Sequence, residues 1–418
     1  MEKTMILECI NLDYNGKGVC KKDGFVYFID NLLPGETANV KITKLNKKFG
    51  FGEVVEIIIK SEKRKSKEPL SFGNLFHLDN LSQLDYQTEL TRETFKKISN
   101  LEVQVNPIIT DDNPINYRNK ITLHVKKVSG RLIIGTFENK SHRIERIKSH
   151  VLADHIINRG IVQLNILFSK YEFQDESLRK ITLRSNNKDL MIIFTTNDEK
   201  WLEKELILSE LNAYSIYQNI SEDDSENLGD KSILLKGESY LPLELLGLKF
   251  KLYPTGFFQT NYKVTEMLYQ RVLDEIKPIK YFDAYAGAAT IGQIISKKAK
   301  YVYSVDNNQD SVNSAKESIK LNQINNLEVI LGDVNEEVNN LEFEGIIFDP
   351  PRSGLTNEMI ESVLNKEVSQ IIYISCNLKT LSRDIGLLLT NYKIKSIVPV
   401  KMFYQTTETE TIVILERI

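Results

Sequence analysis

Gly345-Ile-Ile-Phe-Asp-Pro-Pro-Arg-Ser-Gly354 and, soon after it, Ile371-Ile-Tyr-Ile-Ser-Cys376-Asn-Leu-Lys-Thr380 decide how this chain is read. Each is a short apolar run that ends in a polar group and then a turn or a helix-capping residue. Such runs read as strands buried on both faces, the pattern of a parallel sheet. Asp349 and Cys376 then stand at the carboxyl edges of their strands, where open α/β sheets bind ligands. A carboxylate and a thiol delivered to one crevice suggest covalent chemistry.

The surrounding sequence extends the pattern. Strands are expected at 280–286, 301–306, 327–332, 345–349 and 370–375, with helical segments between them. That alternation implies a mostly parallel, doubly wound sheet. A final pair at 394–403 and 410–416, with no helix between, reads as an antiparallel hairpin at one side.

Phe282-Asp-Ala-Tyr-Ala-Gly-Ala-Ala-Thr-Ile-Gly292 ends the first strand in a small-residue turn and opens a helix. Gly287 lets backbone approach a ligand, and a helix N-terminus favours a carboxylate or phosphate. The dinucleotide G-x-G-x-x-G fingerprint is missing. Asp306, closing the second strand, suits ribose hydroxyls, with a helix N-cap as the plainer reading. Asp333 is placed for an adenine edge. NAD and S-adenosylmethionine both satisfy these features. The missing glycines and the nearby cysteine favour S-adenosylmethionine, which has no pyrophosphate to cradle.

With 418 residues the chain calls for two or three domains, and 41% hydrophobic with 27% charged residues is an ordinary globular composition. The net charge of −3 argues against a generally cationic coat. Residues 1–60 read as a small OB-type β-barrel, with turns at Gly16-Lys-Gly-Val-Cys20, Asp23-Gly24 and Leu33-Pro-Gly-Glu36. Lys41, Lys44, Lys47 and Lys48 with Phe49 and Phe51 suit single-stranded RNA; the alternative makes the phenylalanines core and the lysines a solvated face. Residues 61–67 read as a solvated basic linker. The region 61–250 reads as mixed α+β, with helices near 84–98 and 150–170 and an acidic loop at 221–226. Residues 251–418 form the sheet unit. Cys9, Cys20 and Cys376 fit neither a disulfide framework nor a zinc site. No apolar signal core or membrane span is evident, and a cytoplasmic setting is expected.

Together these motifs resemble the RNA 5-methyluridine (uracil-C5) methyltransferases over nearly the whole chain. The first 60 residues resemble that family's TRAM domain. Tyr117-Arg-Asn-Lys120, Gly256-Phe-Phe-Gln-Thr-Asn261, Asp349-Pro-Pro-Arg-Ser-Gly354 and Ser375-Cys-Asn377 match its motifs in order. The resemblance implies a Rossmann-like class I methyltransferase domain and a monomer. It implies S-adenosylmethionine contacts from Gln259, Tyr285, Asp306, Asp333 and Asp349, with Cys376 as nucleophile and Glu410 as base. Glu408 is the nearby decoy, set aside on spacing. The family usually has Glu where this chain has Asp306. Many members also carry a cysteine-ligated iron–sulfur cluster after the barrel. Here that stretch, Ser71-Phe-Gly-Asn-Leu-Phe-His-Leu-Asp79, has no cysteine and His150 stands at the fourth ligand, so no cluster is expected. Leu75, Phe76 and Leu78 are expected to fill its place.

The chemistry explains the residue types. Uracil C5 is a poor nucleophile until a thiolate adds at C6 and makes the ring an enolate. Arg352 is a candidate to stabilise that charge, and a base must then remove the C5 proton. The target base has to leave its stack, which favours loop or single-stranded RNA. An amino-group methyltransferase would place an aromatic residue after the prolines, where this chain has Arg352. An inactive RNA-binding assembly factor would need neither Cys376 nor Glu410. The barrel and the FFQ wording point to 23S rRNA rather than a tRNA T-loop uridine.

Overall fold

The computed structural model describes residues 4–65, 72–137, 143–222 and 228–418. Most of the acidic stretch 221–226 lies outside them, as do Ser66, Lys67 and Ser71.

Strands β1 (Thr4–Leu12), β2 (Gly18–Lys22), β3 (Phe25–Asp30), β4 (Thr37–Leu45) and β5 (Phe49–Ile59) close a barrel in the order β1-β2-β3-β5-β4. Leu7, Cys9, Cys20, Tyr27, Ile29 and Val40 fill it. The phenylalanines are not core. Phe28, Phe49 and Phe51 pack edge-on or tilted with ring centroids 5.5–5.9 Å apart, partly exposed outside the barrel. The parallel β3–β5 register sets Phe28 beside Phe51.

Arg64 corrects the solvated-linker expectation. Its guanidinium is buried against Glu36, with Nε and Nη2 donating to the two carboxylate oxygens at 2.7 and 2.8 Å. It also donates to the Asn31 side chain and carbonyl. Burial alone raises the Glu36 carboxyl, but Arg64 and the Leu33 and Ser61 N–H groups outweigh it and the net shift is downward. A run of basic residues gives no sign of which one meets a buried acid.

Helix α1 (Asn80–Ser99) follows, capped by Asp79 and ended by left-handed Asn100. The central sheet comprises β6 (Lys120–Val128), β7 (Arg131–Phe137), β8 (Ile144–Arg146), β9 (Leu178–Ser185), β10 (Leu190–Thr196), β11 (Ser215–Ile220) and β12 (Lys231–Gly237), ordered β12-β11-β10-β9-β6-β7-β8. Helices α2 (His155–Lys170) and α3 (Lys204–Glu210) contribute Ile157, Ile161, Leu164, Phe168 and Ile207 to the core on one face. From the other, Met191, Ile193 and Tyr217 join a core shared with the C-terminal unit.

That unit begins with the hairpin β13 (Leu241–Leu245) and β14 (Leu248–Leu252) and helix α4 (Tyr262–Glu275). It continues as β15 (Lys280–Ala284), α5 (Thr290–Ile295), β16 (Tyr301–Asp306), α6 (Gln309–Leu321), β17 (Leu327–Leu331) and α7 (Val334–Asn340). The rest is β18 (Gly345–Phe348), α8 (Asn357–Lys366), β19 (Gln370–Ser375), α9 (Leu378–Leu388), β20 (Tyr392–Val400) and β21 (Glu410–Arg417). The sheet order is β17-β16-β15-β18-β19-β21-β20. It is parallel except for β21, which runs antiparallel to both neighbours. Every residue of β18 and β19 is buried, as a doubly covered strand requires.

Residues 80–110 pack against the C-terminal sheet. Helix α1 lies on α9, and Asn106 and Ile109 bond to the carbonyls of Ile397 and Pro399 on edge strand β20. Where a cluster was ruled out, Phe72 stacks on His150 at 4.3 Å, while His150 Nδ1 accepts the Leu152 N–H. Leu75 and Leu78 are buried there with Leu12 and Leu33.

The Glu36–Arg64 pair yields a test. Glu36→Ala leaves a guanidinium buried without its acid, a loss of about 3–5 kcal/mol. Chemical unfolding of the full chain should show a markedly lowered midpoint for the barrel. An unchanged midpoint would make the pair energetically neutral.

Candidate active site

The carboxyl edges of β15, β18 and β19 open into one cleft of about 1120 Å³. Single-ligand sites are typically about 300–1,000 Å³, so this one has room for a cofactor and a nucleotide. Gln259, Tyr285, Asp349, Cys376 and Glu410 all line it, with Gly287, Arg352 and Phe403.

Cys376 and Glu410 are brought together by strand register. Antiparallel β19 and β21 pair Ser375 with Thr411. Cys376 follows that last pair on one strand and Glu410 precedes it on the other, and both line the cleft, with the Glu410 carboxyl close enough to act on the thiol. The thiol is partly accessible and Glu410 is 4% exposed. Burial, then the nearby Asp349 and Glu408 carboxyls, push Glu410 up to about 8. Burial and then Glu410 push the Cys376 thiol up to about 11, against the lowering effect of Arg352. Among the described residues no hydrogen bond reaches the Glu410 carboxylate. Glu408 differs: it is solvent-accessible and paired with Arg352 at 2.8 Å.

The loop after β18 is held from α9. Asp384 accepts the Leu355 N–H (2.9 Å) and the Tyr373 hydroxyl (2.7 Å), and Arg383 donates to the Ser353 carbonyl. Gly354 has φ 76, and a Cβ there would lie 2.5 Å from Asp384 Oδ2. Asn377 caps α9 and donates to the Arg352 carbonyl, tying the thiol's segment to the Pro-Pro turn. Asp349 is pushed up to about 7 by burial.

Across the cleft, the turn after β15 holds Tyr285, Gly287 and Ala289 at φ 59, 54 and 52. Left-handed backbone costs a side-chain-bearing residue roughly 1–2 kcal/mol, and such strain clusters at functional sites. Asp306 accepts the Gly287 N–H at 2.8 Å and the Asn308 N–H at 2.9 Å. It is not the N-cap of α6, which is Asn308. Asp333 caps α7, is exposed, and like Asp306 is not among the residues lining the cleft. Gln259 is held from the central motif: Asn119 donates its side-chain N–H to the Gln259 carbonyl and its backbone N–H to Thr260, both at 2.9 Å.

Asp283 was missed. It is buried beneath the turn, accepts Gly292 N–H and the Ser304 hydroxyl, and is pushed up to about 7, chiefly by burial. Its place inside an apolar strand was the available signal. Tyr14 was also missed: the barrel's first turn brings it beneath the Lys379 ammonium, 4.2 Å from the ring centre. Nothing local to a turn tyrosine announces that contact.

Comparison with known proteins fits this arrangement. Residues 79–418 match the tRNA (Uracil-5-)-methyltransferase family, and residues 9–55 match the TRAM domain. The chain belongs to the tRNA (uracil-5-)-methyltransferase family. Similar relatives are uncharacterized RNA methyltransferases from Enterococcus faecalis (32% identity, 98% of this chain and 96% of that one) and Clostridium acetobutylicum (33%, 96% and 95%). A solved structure with the same fold is a Pyrococcus abyssi tRNA (uracil-54, C5)-methyltransferase in complex with S-adenosyl-L-homocysteine. It has 23% identity and a TM-score of 0.78 over 98% of this chain and 100% of that one. Among the described residues no group of three or more His, Cys, Asp or Glu converges as metal ligands, and no helix is long and apolar enough to cross a membrane.

Three raised carboxyls at one sheet edge predict a pH effect on stability. Asp283, Asp349 and Glu410 bind protons more tightly folded than unfolded. Their contribution is fully present below about pH 4, the unfolded range, and is lost as pH rises through about 7–8. The melting temperature of the ligand-free protein should fall between pH 5.5 and 8.5, and Glu410→Gln should reduce that slope. A variant with the wild-type slope would show that Glu410 does not titrate in this window.

Proposed function

We propose that this family member uses S-adenosylmethionine to methylate C5 of a uridine in RNA, with Cys376 as nucleophile and Glu410 as base. The observation that carries the reading is that the last ladder pair, Ser375 with Thr411, leaves Cys376 and the buried, raised Glu410 carboxyl at one end of the two strands, lining a single large cleft.

Tyr285, Gly287, Gln259 and Asp349 line the wall assigned to the cofactor. Asp306 holds the turn from behind and keeps acceptor capacity for a ribose hydroxyl, and Asp333 is assigned the adenine edge from the neighbouring strand. When bound, the cofactor supplies an electrophilic methyl group. Cys376 adds as thiolate to C6, which places the ring's electrons at C5 for the new carbon–carbon bond. Glu410 then takes the C5 proton, the C5–C6 double bond re-forms, and the C6–S bond breaks to release Cys376. A carboxyl near 8 is a stronger base than an ordinary glutamate, which suits a carbon acid. Arg352 sits beside the thiol and offsets charge gathered there.

The favoured substrate is a loop or single-stranded uridine of 23S rRNA, met in the cytoplasm by a monomer. The exposed Phe28–Phe49–Phe51 face, with lysines around it, suits unpaired bases. A tRNA uridine is the second reading. The Pyrococcus abyssi tRNA enzyme covers the barrel as well as the rest of the chain, so possession of a barrel does not separate the two. Mapping 5-methyluridine in rRNA and tRNA from cells with and without the protein decides: loss from one 23S position supports the first reading, loss from tRNA the second.

Cys376→Ala should abolish methyl transfer while cofactor affinity, read by calorimetry, stays within about twofold, since the thiol adds to the base. Glu410→Gln should still transfer methyl but stall before elimination, giving a slow band on a denaturing gel that carries label from the cofactor. Glu408→Gln should give no such band. Normal turnover by Cys376→Ala, or a trapped band from Glu408→Gln alone, overturns these roles.

A further inference from the structure

Helix α1 buries a polar face. Gln83, Gln87, Thr91 and Thr94, about one turn apart, are all buried, where a surface helix ordinarily buries apolar residues. A buried amide is costly unless protein groups replace its water. Here the replacements come largely from residues 401–409, between β20 and β21. Gln87 Nε2 donates to the carbonyls of Glu408 at 2.8 Å and Thr406 at 3.3 Å. Two facing carbonyls decide which end of that amide is nitrogen. Gln83 Nε2 donates to Gln405 Oε1 at 2.9 Å, and its oxygen accepts the Gln405 N–H at 3.1 Å. Gln405 is thereby held at φ 67. Asn74 adds a third anchor: it donates to the Thr407 hydroxyl and the Asn15 carbonyl and accepts the Thr407 N–H.

Gln83, Gln87 and Asn74 are not among the residues lining the cleft, yet they fix Gln405, Thr406, Thr407 and Glu408, the chain leading up to Glu410. The Glu410 carboxylate has no hydrogen bond of its own among the described residues, so its position depends on its backbone. The ladder holds Glu410 itself, opposite Val400 of β20, and the residues after it, and the amide clamp fixes the upstream side. Cys376 is held separately, by β19 and the N-cap of α9, and the clamp reaches its surroundings only through the Glu408–Arg352 pair.

We infer that Gln87 is a positioning residue for the base. By holding the Glu408 and Thr406 carbonyls it sets where Glu410 stands, and so controls release of methylated RNA from Cys376 without affecting cofactor binding. The inference rests on the proposed role of Glu410. The step it governs is removal of the C5 proton by the carboxylate, with the electron pair re-forming the C5–C6 bond and expelling the thiolate.

The test uses the full chain, methyl-labelled cofactor, and in-vitro transcripts of the source cell's 23S rRNA and tRNAs, quenched onto a denaturing gel after a single turnover. Gln87→Met keeps the stem and removes both donors. Thr94→Val is the control, losing only an intrahelical bond to the Leu90 carbonyl. Gln87→Met should release product on the order of tenfold more slowly, with labelled adduct accumulating, methyl transfer and cofactor affinity unchanged, and Thr94→Val like wild type. Asn74→Ala, at an exposed position, should give a smaller accumulation, and it carries the test if Gln87→Met does not fold. Equal release by Gln87→Met and Thr94→Val overturns the inference, as does wild-type release by Asn74→Ala if that variant stands alone. Glu410→Gln run alongside separates the failures. If it traps adduct and the clamp variants do not, the base assignment stands and the positioning role falls; if it traps nothing, both fall.

Discussion

The antiparallel pairing of β21 with β19 is the constraint on which the site depends. Parallel strands bring their carboxyl ends to one edge, so a parallel sheet alone sets Asp349 and Cys376 side by side but offers no residue facing the thiol. A strand arriving from the opposite direction supplies one at its first position, Glu410, next to the last ladder pair of Ser375 with Thr411. Register matters because side chains alternate faces: a one-residue slip would turn Glu410 away and bring Thr409 or Thr411 into its place. The first six residues of β21 are all buried, which makes such a slip costly.

Electrostatics follow from that geometry. Asp283, Asp349 and Glu410 meet at one edge without a buried cation between them, and burial raises all three. Arg352, the nearest guanidinium, is largely exposed and shares its charge with Glu408. Raised by burial, the three carboxyls respond to any charge brought into the cleft. A cation entering it would favour ionised carboxylates and, through them, a stronger base.

Much of this was legible because local sequence and tertiary role coincide. The apolar runs ending at Asp349 and Cys376 are buried strands with those residues at their carboxyl edges, and the terminal pair is an antiparallel hairpin. The barrel's turns were marked by glycines. What stayed hidden depends on partners far along the chain. Arg64 looked like one more charge in a basic run, and its acid lies 28 positions earlier. The first turns of α1 were missed because its buried face is glutamine and threonine, which no apolar periodicity reveals. Asp306 and Asp333 stand at the strand ends expected of them, and neither is among the residues that line the cleft, a distinction that pattern alone does not carry.

The position of β21 between β19 and β20 also bears on how the enzyme comes to exist in the cell. β19 and β20 follow one another in the chain but are not neighbours in the sheet, because β21, made after both, lies between them. The clamp adds contacts between residues more than 300 positions apart. Contacts that distant form late and slowly. While the ribosome is still making the last of these strands, β19 is an unfinished edge, open to the wrong partner. The same event that seals this edge brings Glu410 to the cleft, so a nascent chain gains that carboxyl only when its sheet is safe from mispairing.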